Sequence, residues 1–314
     1  MGEFRLTTPV AIVVFNRLDC VEELMEKIRQ AKPEKFYVIS DGARKEREGE
    51  EAKVGAVREY IEKNIDWKCN VKYNYADHNM GSKYRIYSGL NWVFEQEEQT
   101  IILEDDCIPS NDFFRYCQEL LQLYESNDNI WLISGKNVLR KQNSKEQYFF
   151  SRFPETWGWA TWKRAWKQID IEMDSWKEAK QKKTIRYAYD FFSYRCYVRE
   201  ADYQVRDHRD AWDIPWRYSM HVNHGIGIVP RENMICNIGC GHVDASNTTA
   251  PVDDDFSYGK PIKFPLEKQD TFAIDKKYDK ACLQKGSGIK KELHYICYCF
   301  TRIIPKLKDM LSGN

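Results

Sequence analysis

The sequence predicts an α/β protein with a mostly parallel central sheet flanked by helices. Two observations carry this reading. Between Pro9 and Ser134, short β-branched apolar runs alternate with stretches whose apolar residues recur at helical spacing. The runs also end repeatedly on polar, ligand-capable residues, as at the carboxyl rim of a parallel sheet.

The elements follow in order. "PVAIVVF" (Pro9–Phe15) is a buried strand. Asp19 is placed to cap the next helix, whose buried face is Val21, Leu24, Met25 and Ile28. Lys35–Ser40 is the second strand, and Val54, Val57, Ile61 and Ile65 stripe a second helix. Asn70–Tyr75 alternates polar and apolar residues and reads as a strand nearer an edge. Tyr87, Leu90, Val93 and Phe94 mark a third helix, and "TIIL" (Thr100–Leu103) is the fourth strand. Ser110, Asn111 and Asp112 carry cap signals for a fourth helix through Phe113, Phe114, Cys117, Leu120, Leu121 and Tyr124. Ile130–Ser134 is the fifth strand. After Gly135 the alternation stops, and seven of the ten tryptophans fall between Trp157 and Trp216.

Composition excludes some classes. The 314 residues, 42% hydrophobic, suffice for a full core. Basic and acidic residues number 48 each, so a general nucleic-acid binder, which needs a basic excess, is not expected. "MGEFRLTTPV" has no signal-peptide core and no run approaches a membrane span. The ten cysteines form no CxxC pair and read as reduced thiols. A cytoplasmic protein, soluble or peripheral on the inner face of the membrane, is expected. No G-x-G-x-x-G follows the first strand and no P-loop occurs, which removes the dinucleotide and P-loop readings.

The predicted rim carries Asn16 and Arg17, Asp41 and Gly42, Asp77 to Asn79, and Glu104, Asp105 and Asp106. Three adjacent acids repel one another unless a cation compensates. Mg²⁺ and Mn²⁺ take oxygen ligands, often one or two carboxylates plus substrate phosphates. A metal–diphosphate site is the expectation; a solvated loop is the plainer alternative, although the next helix has cap signals of its own.

"PVAIVVFNR", "ISDG", "NMGSKYRIYSGLNWVF", "IILEDDCIPSNDFFRYC" and "ETWGWATW" occur in an order that resembles GT-A-fold nucleotide-sugar glycosyltransferases. The likeness is to glycosyltransferase family 2 and to bacterial relatives of the N-acetylglucosaminyltransferase I group. It implies a Rossmann-like nucleotide-binding half (5–135) joined to an aromatic-rich acceptor half (136–252). A polar linker and a helical, basic amphipathic tail (253–314) follow.

The resemblance implies roles residue by residue. Asp106, last of the "EDD" at the DxD position, reaches Mn²⁺ or Mg²⁺, with Glu104 and Asp105 on the ribose or donor sugar. Asn16 and Arg17 hold base and ribose. Asp41 contacts the base, or simply makes a D-G turn. Lys83 or Arg85 reaches the diphosphate, aided by a helix N-terminus. Gly158 admits a close ligand and Trp159 offers it an aromatic face. Asp213 is the general base, with Asp210 as runner-up; alternatively Asp213 caps a helix that has Pro215 in its first turn. Where the family pattern has a His, this chain has Asn247, which leaves His242 as a substitute metal ligand. A zinc site from His221, His224, Cys236, Cys240 and His242 fits no standard spacing. The basic segment near residues 290–308 suits a membrane surface or a docking partner.

The expected function is metal-dependent inverting transfer of a sugar from a UDP-sugar or related donor to a hydroxyl of a glycan or lipid-linked acceptor. A non-catalytic carbohydrate-binding protein on this fold, and a metal-dependent nucleotidyltransferase, are the alternatives.

Overall fold

In the computed structural model, residues 4–140, 146–241 and 257–287 are described. Strands β1 (Val10–Val14), β2 (Lys35–Ser40), β3 (Asn70–Tyr75) and β4 (Gln99–Glu104) alternate with helices α1 (Leu18–Ala31), α2 (Glu50–Lys63) and α3 (Gly81–Phe94). The four strands pair in parallel in the order β3-β2-β1-β4, with Val10 opposite both Phe36 and Ile101. Every periodic residue predicted for α1 is buried, and β3 is the half-exposed edge. A short β5 (Cys107–Pro109) and α4 (Phe113–Leu123) follow.

Beyond β4 the sheet departs from expectation. β6 (Ile130–Ser134) does not lie beside β4. Between them runs β8 (Trp159–Trp162), antiparallel to both. β9 (Ile226–Pro230) then pairs parallel to β6, and β7 (Tyr148–Ser151) closes the sheet antiparallel to β9. The eight-stranded sheet is therefore mixed, and the two predicted halves share it. β10 (Ile235–Asn237) pairs antiparallel with β5 in a separate two-stranded sheet.

Period-two alternation distributes the strand residues between two cores. Val10, Ile12 and Val14 face the layer holding α1, α2 and α4. Ala11, Ile39 and Ile102 face the layer holding α3, α5 (Lys163–Trp166) and α8 (Asp213–Val222). In β8, Ala160 and Trp162 join the first core and Trp159 the second. Trp159 there stacks on Trp212 at 5.4 Å and lies 5.7 Å from Trp216. Helices α6 (Trp176–Lys182) and α7 (Phe191–Arg206), with the 3-10 turn Thr184–Ala188, form a third cluster with α8.

Two caps differ from the sequence reading. Asp19 lies inside the first turn of α1, where Arg17 is the flanking residue. Asp112 does flank α4, but its Oδ2 accepts from the Ile262 N–H at 3.0 Å rather than from its own helix. The expected linker and tail also need correction, because residues 257–287 pack on the body. Ile262 and Leu266 enter the first core. α9 (Lys276–Ser287) seats the fully buried Tyr278, and Asp279 accepts from Ser151 Oγ at 2.6 Å. The basic segment at 290–308 lies outside the described residues. Among the described residues, no helix is long and apolar enough to cross a membrane.

His221 is core rather than ligand, which removes the zinc reading. Its ring is fully buried, with Nε2 2.8 Å from the Arg152 carbonyl and Nδ1 3.1 Å from the Tyr189 hydroxyl. Nε2 carries a hydrogen to donate to the carbonyl, and in the neutral ring Nδ1 accepts from the Tyr189 hydroxyl. Burial pushes its pKa down to about 3, against the hydrogen bond to Arg152. An unfolded His titrates near ~6.5. Between these values the unfolded chain binds the extra proton, so this contribution to stability is complete above ~6.5 and is lost as pH falls toward 3. The urea midpoint should fall on acidification through that window, with a slope of at most about 1.4 kcal/mol per pH unit from this group. His221→Gln should flatten it; equal slopes in both proteins would contradict the assignment.

Candidate functional site

The carboxyl ends of β1, β2 and β4 converge as predicted. The Asp105 N–H continues the ladder to the Val13 carbonyl at 3.1 Å, fixing the acids beside the start of α1. Arg17 reaches across from that start. Its guanidinium is forked between the two aspartates, pairing with Asp105 Oδ1 and lying 2.9 Å from Asp106 Oδ2. Burial alone would lower the Arg17 pKa, but Asp105 and Asp106 more than offset it and hold the group above its ordinary value. Asp105 is raised by burial, with Arg17 opposing. Glu104 is pushed up to about 8, by burial first and then by Asp106 and Asp105. One arginine thus leaves this triad short of positive charge.

Two cavities open here. The first, about 460 Å³, is lined by Phe15, Asn16, Arg17, Asp41, Arg44, Arg47, Asn79, Arg85, Ile86, Glu104, Asp105 and Asp210, among others. The second, about 320 Å³, includes Glu104, Asp106, Glu155, Trp157, Glu200, Arg209, Trp212, Asp213 and Asn237. Arg17, Ser82 and Glu104 line both, so the two form neighbouring chambers with a common lip. Asn16 donates to Glu50 at 3.1 Å, and Glu50 also holds Arg44, whose guanidinium covers the Phe15 ring at 5.4 Å.

The N-terminus of α3 is already satisfied. Asp41 accepts from the Met80 and Gly81 N–H groups at 2.9 and 3.1 Å, from Gly42 at 2.9 Å and from Asn79 Nδ2 at 3.0 Å. Asp210 accepts from Ser82 and Lys83 at 2.8 and 2.6 Å. Gly81 has φ +75, and a Cβ there would stand 2.8 Å from the Asp210 carboxylate. Two side chains from distant loops therefore cap one helix. Asp41 accordingly sits in the turn role, and Asp210 is spent as a cap.

Other predicted residues lie elsewhere. The Lys83 ammonium pairs with Glu172 at 2.8 Å and lines neither cavity. Arg85 lines the first chamber and donates to the Asn74 carbonyl at 2.8 Å, while its buried Nε has no hydrogen-bond partner. Trp159 is fully buried and cannot meet a ligand. Gly158, with φ +58, is required by packing, since a Cβ would stand 2.3 Å from Ile235 Cδ1. The aromatics that do line the second chamber are Trp157, with Lys136 Nζ 4.8 Å from its ring, and Trp212. Trp157, Trp212, Glu155, Glu200, Arg209, Arg44 and Arg47 were not singled out by sequence. Only Trp157 carried a usable signal, its place in the Trp-Gly-Trp run. His242 and Asn247 lie outside the described residues.

Among the described residues, no group of three or more His, Cys, Asp or Glu is arranged to hold a metal. The donor set nonetheless fits a hard divalent cation. Asp106 offers carboxylate oxygens at the wall of the second chamber, and a guanidinium already stands against it as a counter-cation. Mg²⁺-type sites commonly use one or two carboxylates, with substrate phosphates completing the shell.

Comparison with known proteins follows from this geometry. A family model described as the GNT-I family matches residues 2–187. No curated protein matches the chain. Among solved structures, the mannosyltransferase PcManGT from Pyrobaculum calidifontis, in complex with GDP-Man and Mn²⁺, is 16% identical over 70% of each chain, with a TM-score of 0.37. A 4-diphosphocytidyl-2C-methyl-D-erythritol synthase from Anaerococcus prevotii is 12% identical over 55% of this chain and 76% of its own, with a TM-score of 0.33. The family match spans more than half of the sequence and the strands that build the first chamber, so the chain belongs to the GNT-I family and is a glycosyltransferase built on a mixed α/β sheet.

Proposed function

We propose that the chain moves a sugar, with inversion and with Mn²⁺ or Mg²⁺, from a UDP-sugar to a hydroxyl of a glycan or lipid-linked acceptor. One observation carries this reading: Asp106 and Asp213 line the same chamber, while Glu104 and Arg17 connect it to the other. The first chamber suits the nucleoside, with Phe15 and Ile86 as apolar walls and Asn16 among its polar groups. Arg44, Arg47 and Arg85 offer positive charge to the diphosphate. Asp106 would hold the cation, which when bound supplies charge for the leaving diphosphate. Glu104 and Asp105 remain to accept hydrogen bonds from sugar hydroxyls.

Asp213 would take the proton of the acceptor hydroxyl. Its carboxylate is half-exposed and receives no hydrogen bond among the described residues; Arg217 stands 3.8 Å away. Asp210 differs, because both its oxygens accept helix N–H groups. A carboxylate held that way is a poor proton acceptor.

Calorimetry of nucleotide sugars with and without Mn²⁺ tests the reading. Metal-dependent binding of a UDP-sugar is expected; no binding of any nucleoside diphosphate would overturn it. Product analysis separates the alternatives, since a nucleotidyltransferase releases pyrophosphate from a nucleoside triphosphate and a pure binding protein turns nothing over. Trp157→Ala should raise the acceptor KM about tenfold, as expected for losing an aromatic face, with donor affinity unchanged. A matching loss of donor affinity would instead place Trp157 on the donor.

A further inference from the structure

One surface segment stands apart from both chambers. Residues 176–195 hold Lys177, Lys180, Lys182, Lys183, Arg186 and Arg195 against Glu178 and Asp190, in a chain whose net formal charge is zero. α6, the 3-10 turn and α7 pack in one cluster, and α7 opens on two exposed aromatics. Phe191 is 57% exposed and Phe192 41%, with ring centroids 5.4 Å apart. Asp190 caps the turn presenting them by accepting from the Ser193 N–H at 2.9 Å. Beneath them Ile185, Ala188, Tyr189 and Tyr197 are buried.

Two of the segment's arginines lie against rings of this helix end. Arg195 lies 5.8 Å from the Phe191 ring, and Arg186 lies 5.6 Å from the ring of Tyr194, one turn along. Lys180 is also close enough to act on the Tyr194 hydroxyl, opposing the rise that burial causes. Lys180 and Lys182 pair on the surface with Asp202 and Glu178. Exposed pairs of this kind are weak and exchange readily for other anions.

We infer that Phe191 and Phe192, with this basic segment, dock the protein on an anionic membrane surface. Apolar insertion alone is marginal, and so is a basic patch alone; together they give the two signals that stable peripheral attachment needs. A second copy of the chain fits less well, because a two-fold interface would set these bases against themselves. The docking face also stands in a useful place. Glu200, which lines the second chamber, is on the same helix nine residues after Phe191, about 13 Å along the axis at ~1.5 Å per residue. The chamber is therefore within short reach of a bilayer, which selects a lipid-linked acceptor from those the transferase reading allows; the inference rests on that reading for its meaning but not for its test.

The test uses the full chain without donor or acceptor. Sedimentation with phosphatidylglycerol–phosphatidylcholine vesicles should carry the protein down, pure phosphatidylcholine should not, and added salt should release it. The double variant F191S/F192S should lower the bound fraction about tenfold, with an unchanged melting temperature and unchanged transfer to a soluble acceptor. K182E/K183E should weaken binding in the same direction, which keeps the test open if the first variant folds poorly. Three results would overturn the inference: no binding by the wild type, wild-type binding by both variants, or loss in F191S/F192S of a concentration-dependent dimer formed without vesicles. Vesicle binding that survives a failure to detect any sugar transfer would leave docking standing and remove only the transferase reading.

Discussion

Asp213→Asn should reduce sugar transfer by roughly a thousandfold, within the 10²–10⁴ range of a lost general base, while UDP-sugar binding measured by calorimetry stays near wild type. The expectation follows from position. Asp213 lines the second chamber and not the first, so removing its charge leaves the nucleotide's surroundings in place. Asn cannot accept the acceptor's proton, yet it keeps the side chain's size. The effect should therefore appear in kcat with little change in either KM. Asp210→Asn provides the contrast. It weakens a cap worth about 1 kcal/mol, so it should lower the melting temperature and reduce activity far less. If the two variants exchange these phenotypes, Asp210 is the base.

Asp106→Asn should abolish metal-dependent turnover, by about a thousandfold or more, and should remove the Mn²⁺ dependence of donor binding. Here the split runs the other way: donor affinity in the presence of metal falls together with kcat. Stability should change little, since Asp106 keeps Arg17 company only at the chamber wall and Asp105 retains the same arginine. Full activity in Asp106→Asn, or activity in the presence of excess chelator, would remove the cation from the proposal.

β1, β2 and β4 were legible because each is an apolar run buried in the sheet, and β3 because its alternation suits the half-exposed edge. β8 was not. "WATW" is too short to show alternation, and its tryptophans look equally like core or pocket. Its place beside β4 is set by pairing as distant as Gln99 with Trp162, and beside β6 by pairing of Leu132 with Thr161, which no local pattern records. The same limit explains Trp159. Trp157 and Trp159 flank one glycine, whose positive φ is a backbone feature that local sequence does not show. The acids of β4 were legible in place, since a parallel sheet presents its carboxyl rim to ligand. Their partner was not, because Arg17 reads as a binding residue in sequence and stands in the structure as their counter-ion. Asp210 was legible as chemistry but not as geometry, because the amide groups it satisfies lie 127 and 128 residues away.

That distant cap has a consequence for tolerance. Among the described residues, five strands, four α-helices and a 3-10 turn lie between α3 and Asp213, the first residue of α8, and positional error would accumulate along such a path. Asp210 resets it. By gripping the amides of Ser82 and Lys83 three residues before Asp213, it measures the second wall of the chamber directly from the first, as a dowel locates two machined parts. The intervening chain can then change in length or packing without moving Asp213 relative to the start of α3. Variation among relatives should concentrate in that stretch, while the spacing between Asp210 and Asp213 stays constant.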